Sequence, residues 1–177
     1  MAISNPDLPC RSRRHALRLA GVTLGASLLH MQSAVAAPAA VAATPVRLPA
    51  VTMLDGSRYQ PETGRGAGLI VVFWSVTCPF CRNDNPHVDQ LHRSMAGKPL
   101  KLLTASIDRD PAPVQSYMLE KGFTFPVTLD SAPLRAALSA RHVIPLTCCI
   151  DRSGALRDVI VGEMFEEDIL GLIKYAG

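Results

Sequence analysis

The feature that most limits this chain is the order of three short patterns near its centre. Gly68-Leu69-Ile70-Val71-Val72-Phe73-Trp74 is a continuous apolar, largely β-branched run, the pattern of a strand buried on both faces of a parallel sheet. Four residues later comes Cys78-Pro79-Phe80-Cys81, and beyond it Val88, Leu91 and Met95 recur at helical spacing. Proline suits a first helical position, so the spacing predicts a strand-to-helix turn with Cys78 at the helix N-terminus and Cys81 one turn on. A buried parallel strand followed by a helix is an α/β arrangement.

That placement has chemical consequences. The unpaired N–H groups and dipole of a helix N-terminus stabilise an anion, which favours the Cys78 thiolate. Cys81 is spaced to attack a mixed disulfide formed at Cys78, so the pair reads as nucleophile and resolver. Asp84, three residues after Cys81, falls on the same helix face and is a candidate for moving the proton of the more buried thiol. Arg82 either favours the thiolate electrostatically or is simply solvated. Competing readings are weaker. Half a zinc site needs a second ligand pair, and Cys148-Cys149 serves poorly, because adjacent strand residues point to opposite faces. A purely structural disulfide also suits an oxidising compartment. The adjacent pair reads more simply as two small buried hydrophobes; a second redox or copper-binding pair is the sharper alternative.

Composition enters through the question of partners. The 177 residues carry a formal charge of +3, which would hint at nucleic acid or an anionic membrane. The whole excess lies in residues 1–36, where Arg11, Arg13, Arg14 and Arg18 face a single acid, Asp7; the remainder balances. Those residues read as an export signal, basic up to Arg18, apolar from Leu19 to Leu29, and ending in Ala34-Val35-Ala36. The apolar run is too short to cross a bilayer, for which about 20 residues are needed, so no transmembrane segment is expected in the mature chain. Ser12-Arg13-Arg14 leaves twin-arginine and ordinary Sec export both open. Residues 37–50, rich in Ala and Pro, read as a tether, and 51–177 as one domain. Nucleic acid is excluded as a partner, and the periplasm is the expected location.

With these residues in hand, Val72 to Pro86 resembles the active-site segment of the TlpA/ResA-like thioredoxin family of exported thiol-disulfide oxidoreductases. Leu103 to Asp108 is similar to the family's second core strand, and Lys121 to Asp130 to its central insertion. Val143 to Asp151 resembles the segment with the cis-proline, Asp151-Arg152-Ser153-Gly154 reads as a hairpin turn, and Glu166 to Tyr175 as a closing helix. The resemblance covers roughly residues 46–175. It implies a thioredoxin-like fold, a central mixed β-sheet flanked by helices with a TlpA-type αβ insertion. It further implies that Cys78 is the exposed nucleophile and Cys81 the buried resolving thiol, with Pro145 cis and Ile144 offering its backbone to an extended substrate. Trp74, Pro79 and Phe80 are further candidates for the substrate-facing surface, although Trp74 at the end of an apolar strand also suits the core. Two departures stand out: Thr77 where many members carry tryptophan, and Asp84 where the family's usual residue is Glu.

The function implied is a protein disulfide reductase that needs no cofactor beyond a redox-active Cys78–Cys81 disulfide. Its partners would be disulfide-containing clients, such as apocytochromes c or copper-site proteins, and a membrane thiol-disulfide electron donor; a monomer is expected. A disulfide oxidase or isomerase on the same fold stays open. So does a copper chaperone using the two thiols with His87 or His142, although Sco-type proteins space their cysteines one residue further apart. His92 lies further along the helix. A peroxiredoxin-type peroxidase is disfavoured, because Val71 stands where its pattern needs proline, although Ser75 fits.

Overall fold

A computed structural model describes residues 44–63 and 65–177. The export signal expected over 1–36 lies outside them, as does the first half of the tether, residues 37–43. A two-stranded antiparallel ribbon, β1 (Val51–Thr52) and β2 (Arg58–Tyr59), precedes the main sheet. Then follow β3 (Gly68–Trp74), α1 (Pro79–Ser94), β4 (Leu100–Ser106), α2 (Pro111–Lys121), β5 (Val127–Thr128), α3 (Ser131–Leu138), β6 (Leu146–Ile150), β7 (Leu156–Val161) and α4 (Glu166–Gly171). The sheet runs β5-β4-β3-β6-β7; β3, β4 and β5 are parallel, while β6 and β7 join antiparallel. This is the thioredoxin-like mixed sheet that the sequence leads one to expect.

β3 is central and buried along its whole length, which is why its sequence is continuously apolar rather than alternating. Its side chains divide between two cores. Ile70, Val72 and Trp74 pack with Val88 and Leu91 of α1, Val114 and Tyr117 of α2, and Ile169. Leu69, Val71 and Phe73 pack with Leu134 and Leu138 of α3 and with Leu48 and Val51. Gly68 opens β3 where nothing larger fits, since a Cβ there would stand 2.4 Å from the Tyr175 carbonyl oxygen.

The inserted unit α2-β5 lies between β4 and α3. Asp110 caps α2 by accepting the Ala112 N–H, Pro111 fills the next position, and Gly122 ends the helix at φ 66°. Two boundaries differ from the sequence reading. The stretch assigned to the tether already packs by residue 46: the Val46 N–H donates to Gly154 O at 2.9 Å, and Leu48 is buried. Its Ala/Pro-rich composition concealed two apolar side chains that cover the α3 face. The closing helix ends its α-helical part at Gly171 and tightens into a 3₁₀ turn over Leu172–Ala176. No helix among the described residues is long and apolar enough to cross a membrane.

Candidate active site

The central strand β3 ends at Trp74, and three loop residues then turn the chain into α1. Cys78 is the N-cap of that helix, in extended backbone at φ −84°, ψ 116°. Its Sγ accepts the Cys81 N–H at 3.2 Å, the bond a capping side chain makes to an otherwise unpaired first-turn amide. The Cys78 N–H in turn donates to Ser75 O at 3.3 Å. Cys78 is half-buried, Cys81 is wholly buried, and both are free thiols. The pair is therefore asymmetric, with one sulfur reachable from solvent and its partner beneath it.

The two buried groups on this face of α1 are both held away from their charged forms. Burial pushes the Cys81 thiol strongly up, helped by its hydrogen bond with Cys78 and by the nearby Asp84 charge; a backbone hydrogen bond from Ser75 opposes the shift. Asp84 is 2% exposed, and its carboxyl is raised to about 6, chiefly by burial. The Met164 N–H, which donates to Asp84 Oδ1 at 3.2 Å, works against that rise. Asp84 and Cys81 thus share a buried environment, and α1 is joined to the segment before α4 also through Asn83 Nδ2, which donates to Glu163 at 2.8 Å.

Facing the thiols is the turn into β6. The Ile144–Pro145 peptide bond is cis, and the Ile144 carbonyl oxygen lies 4.0 Å from Cys78 Sγ. The Pro145 carbonyl accepts the Gly162 N–H at 2.9 Å, tying this turn to the end of β7. The buried Arg135 guanidinium stacks 4.5 Å from the Phe73 ring centroid and donates to the Arg141 and Val143 carbonyls, which anchors the approach to Ile144. Pro79 is exposed, and Phe80 is 58% exposed on the same rim. Together Cys78, Pro79, Phe80, Ile144 and Pro145 form one surface.

Trp74 does not belong to that surface. It is fully buried, with its ring 5.8 Å from Tyr117 and 5.9 Å from Phe125, and its indole Nε1 has no hydrogen-bond partner. As the last residue of β3 it points into the α1–α2 core, so its substrate-facing assignment is corrected to packing. The histidines are scattered. His87 Nδ1 lies 4.0 Å from Glu166, His92 reaches Thr124, and His142 is exposed. No cluster of three or more His, Cys, Asp or Glu able to hold a metal occurs among the described residues. Cys148 and Cys149 fall in opposite cores, as adjacent strand residues should.

Some contributors gave no sequence signal. Asp108 is 33 residues from Ser75, yet accepts its hydroxyl at 2.8 Å, and Met164 is 80 residues from Asp84. A cavity of about 1060 Å³ between α1, α2 and the β1–β2 ribbon includes none of the thiol-bearing residues in its lining.

The comparisons with known proteins agree with this geometry. The Redoxin family profile matches residues 36–172. The thiol-disulfide oxidoreductase ResA of Geobacillus kaustophilus is 27% identical over 121 residues, covering 67% of this chain and 68% of its own. ResA of Bacillus subtilis is 27% identical over 125 residues, covering 68% and 69%. Among solved structures, a thiol:disulfide interchange protein of the thioredoxin family from Chlorobium tepidum superimposes with a TM-score of 0.67 at 26% identity, covering 76% of this chain and 97% of its own. Family match, relatives and fold, taken with two thiols at a helix N-terminus, lead to one conclusion: the chain belongs to the Redoxin family, as a thioredoxin-like thiol-disulfide oxidoreductase of the ResA-like kind.

Proposed function

We propose that this chain is an exported protein disulfide reductase, acting as a monomer in the periplasm. The observation that carries the reading is the asymmetry of the pair: a reachable Cys78 sulfur with an amide aimed at it, above a buried Cys81. The Cys78 thiolate attacks one sulfur of a client disulfide. A new S–S bond joins Cys78 to the client, and the second client sulfur leaves as a thiolate that takes up a proton. Cys81 then loses its proton and attacks Cys78 Sγ. The Cys78–Cys81 disulfide forms, the bond to the client breaks, and the client's remaining sulfur leaves reduced. Two electrons have passed from the dithiol to the client.

During the mixed-disulfide stage the client backbone lies along Ile144, beside Pro145, with Pro79 and Phe80 lining the other side. Asp84, raised to about 6, is mostly ionised at neutral pH and takes the Cys81 proton through a water molecule. A membrane dithiol donor returns two electrons to the Cys78–Cys81 disulfide, and no other cofactor takes part. Clients are proteins whose cysteines must be reduced before they receive a group, such as apocytochromes c or copper-site proteins.

The decisive experiments are a substitution and a titration. Cys78→Ala abolishes reduction of insulin disulfides, and appreciable residual activity overturns the mechanism. Equilibration with glutathione tests the direction. A couple well below about −200 mV supports a reductase, whereas one near about −120 mV identifies a disulfide oxidase.

A further inference from the structure

Arg135 is a buried cation without a counter-ion. It is 8% exposed, and among the described residues it joins no ion pair. Both of its hydrogen bonds leave from one nitrogen: Nη1 donates to the Arg141 carbonyl and, at 3.4 Å, to the Val143 carbonyl. Nε and Nη2 donate to no described group. Neither is sealed from solvent, because Trp74 Nε1 is the one wholly buried side-chain nitrogen or oxygen without a partner among the described residues. The Phe73 ring and two carbonyls ease the buried charge, but a guanidinium fork is completed by the paired oxygens of an acid.

Arg135 lines a surface pocket of about 490 Å³. Ser131 and Ala132 in the first turn of α3 stand four residues before Arg135 and Ala136, so both pairs share one helix face. Ser139 continues that lining, Ile107 enters from the loop after β4, and His142 from the segment before β6. The Ser139 hydroxyl accepts the Arg141 N–H at 3.1 Å, which leaves its own proton free to donate. No acid among the described residues lines the pocket. Asp108 and Asp130, each next in sequence to a lining residue, are engaged elsewhere, by the Ser75 hydroxyl at 2.8 Å and the Thr52 N–H at 2.7 Å.

The pocket adjoins the reactive face. Val143, whose carbonyl Arg135 holds, precedes Ile144, and the Ile144 carbonyl oxygen lies 4.0 Å from Cys78 Sγ. The Ile107 N–H bonds at 2.9 Å to the carbonyl of Trp74, where the loop to Cys78 begins. We propose that this pocket is a subsite for a client carboxylate, the side chain of a Glu or Asp near the reactive cysteine, held by the free N–H groups of Arg135. The inference rests on the disulfide-exchange reading above and names its substrate class: client segments with an acid close to the cysteine. An acid beside a disulfide ordinarily repels an attacking thiolate. A preference for Glu over Gln at one client position therefore runs against the simple charge effect and singles out Arg135.

The test uses short synthetic peptides, joined in pairs by one cysteine disulfide, with Glu or Gln placed in turn at each position around the cysteine. The second-order rate constant for their reduction by the pre-reduced protein is measured at low ionic strength, and the Glu-to-Gln ratio is the readout, so a general loss of activity cancels. At one position the Glu peptide is expected to react about tenfold faster. Arg135→Lys keeps the charge but not the fork, and should bring the ratio to within about twofold of one. Should that buried variant fail to fold, Ser131→Glu gives the same reading, because it sets a carboxylate one turn before Arg135 and fills the site from within. Ala137→Glu adds the same charge to α3 outside the pocket and should keep the preference. A ratio near one at every position overturns the subsite, as does a preference that survives both pocket variants or is lost equally in Ala137→Glu. If acetate alone shifts the amide resonances of residues 131–142 while the peptide ratio stays near one, the pocket takes free anions and the client role is overturned. If the unaltered protein reduces not even the Gln peptides, the disulfide-exchange reading itself fails and the subsite falls with it.

Discussion

The described part of the chain has two pairs of cysteines, and they lead opposite lives. Cys78 and Cys81 lie at a strand-to-helix turn, where a sulfur accepts an amide that the helix leaves unpaired. Cys148 and Cys149 lie in β6, paired through the ladder with Val71 and Ile70 of β3. Their side chains project into separate cores, and burial raises the two thiols to about 11 and about 12. Buried Arg135 draws Cys148 down slightly, while the Asp158 charge adds to the rise at Cys149. The same residue type is thus a reagent in one place and packing in the other. Two residues of separation on a helix bring two thiols together, whereas adjacency on a strand keeps them apart.

The contrast is broken most directly by labelling. A thiol raised to about 11 keeps on the order of one thiolate in ten thousand at pH 7, and the sheet also shields Cys148 and Cys149 from reagent. Brief treatment of the reduced native protein with iodoacetamide should modify Cys78 at least about a thousandfold faster than either strand cysteine, by mass spectrometry of the separated peptides. Comparable labelling in β6 would show that this strand opens and that the two regions are less distinct than their geometry implies.

Asp84 sharpens the contrast, because it is a buried carboxyl on the same helix face as the reactive Cys81. Its carboxyl is raised from 3.8 to about 6, mainly by burial. The folded protein holds that proton more tightly than the unfolded chain does. The group's contribution to stability is therefore complete below about pH 4 and is lost as the pH rises through about 6. The ionised carboxylate then costs about 3 kcal/mol. Asp84→Asn keeps an acceptor for the Met164 N–H and removes the charge. It should raise the melting temperature at pH 8 and leave it nearly unchanged at pH 4. The same variant should reduce disulfides about tenfold to a hundredfold more slowly, and lose the limb of the pH–rate profile that rises near 6. A variant that is stabilised yet fully active would remove Asp84 from the proton path.

How far the sequence showed this follows from how local each signal is. The β3 strand, the capping position of Cys78 and the run of α1 are each written within about ten residues, and the structure matches them. The hairpin turn at Asp151–Gly154 is local in the same way: the Gly154 N–H closes it on Asp151 O. The Asp108–Ser75 hydrogen bond is different. It exists because β3 and β4 pair in parallel, setting Trp74 opposite Ser106, so that the loops leaving the two strands emerge together. Register of that kind has no signature in either segment alone. Trp74 misleads for a related reason: β-strand alternation says only that its side chain lies on one of two faces. Both faces of this strand are buried, and α2, supplied by the insertion, covers the one that Trp74 uses.

The smallest expected effect tests the quiet side of the comparison. If Cys149 is packing, what matters there is volume and apolarity, not sulfur chemistry. Cys149→Val nearly preserves both and should cost less than about 1.5 kcal/mol. Cys149→Ser places a hydroxyl in a wholly buried site among Ile70, Val72 and Tyr175, and should cost about 2 kcal/mol by urea unfolding. Both variants should reduce insulin disulfides within about twofold of the unaltered protein, because Cys149 is wholly buried and is no part of the surface that Cys78, Pro79, Phe80, Ile144 and Pro145 form. A second redox pair predicts the reverse ranking: valine and serine would be equally inactive, whatever their stability. Stability that follows polarity, with activity indifferent to both substitutions, is the behaviour of a cysteine that the fold uses only as a small hydrophobe.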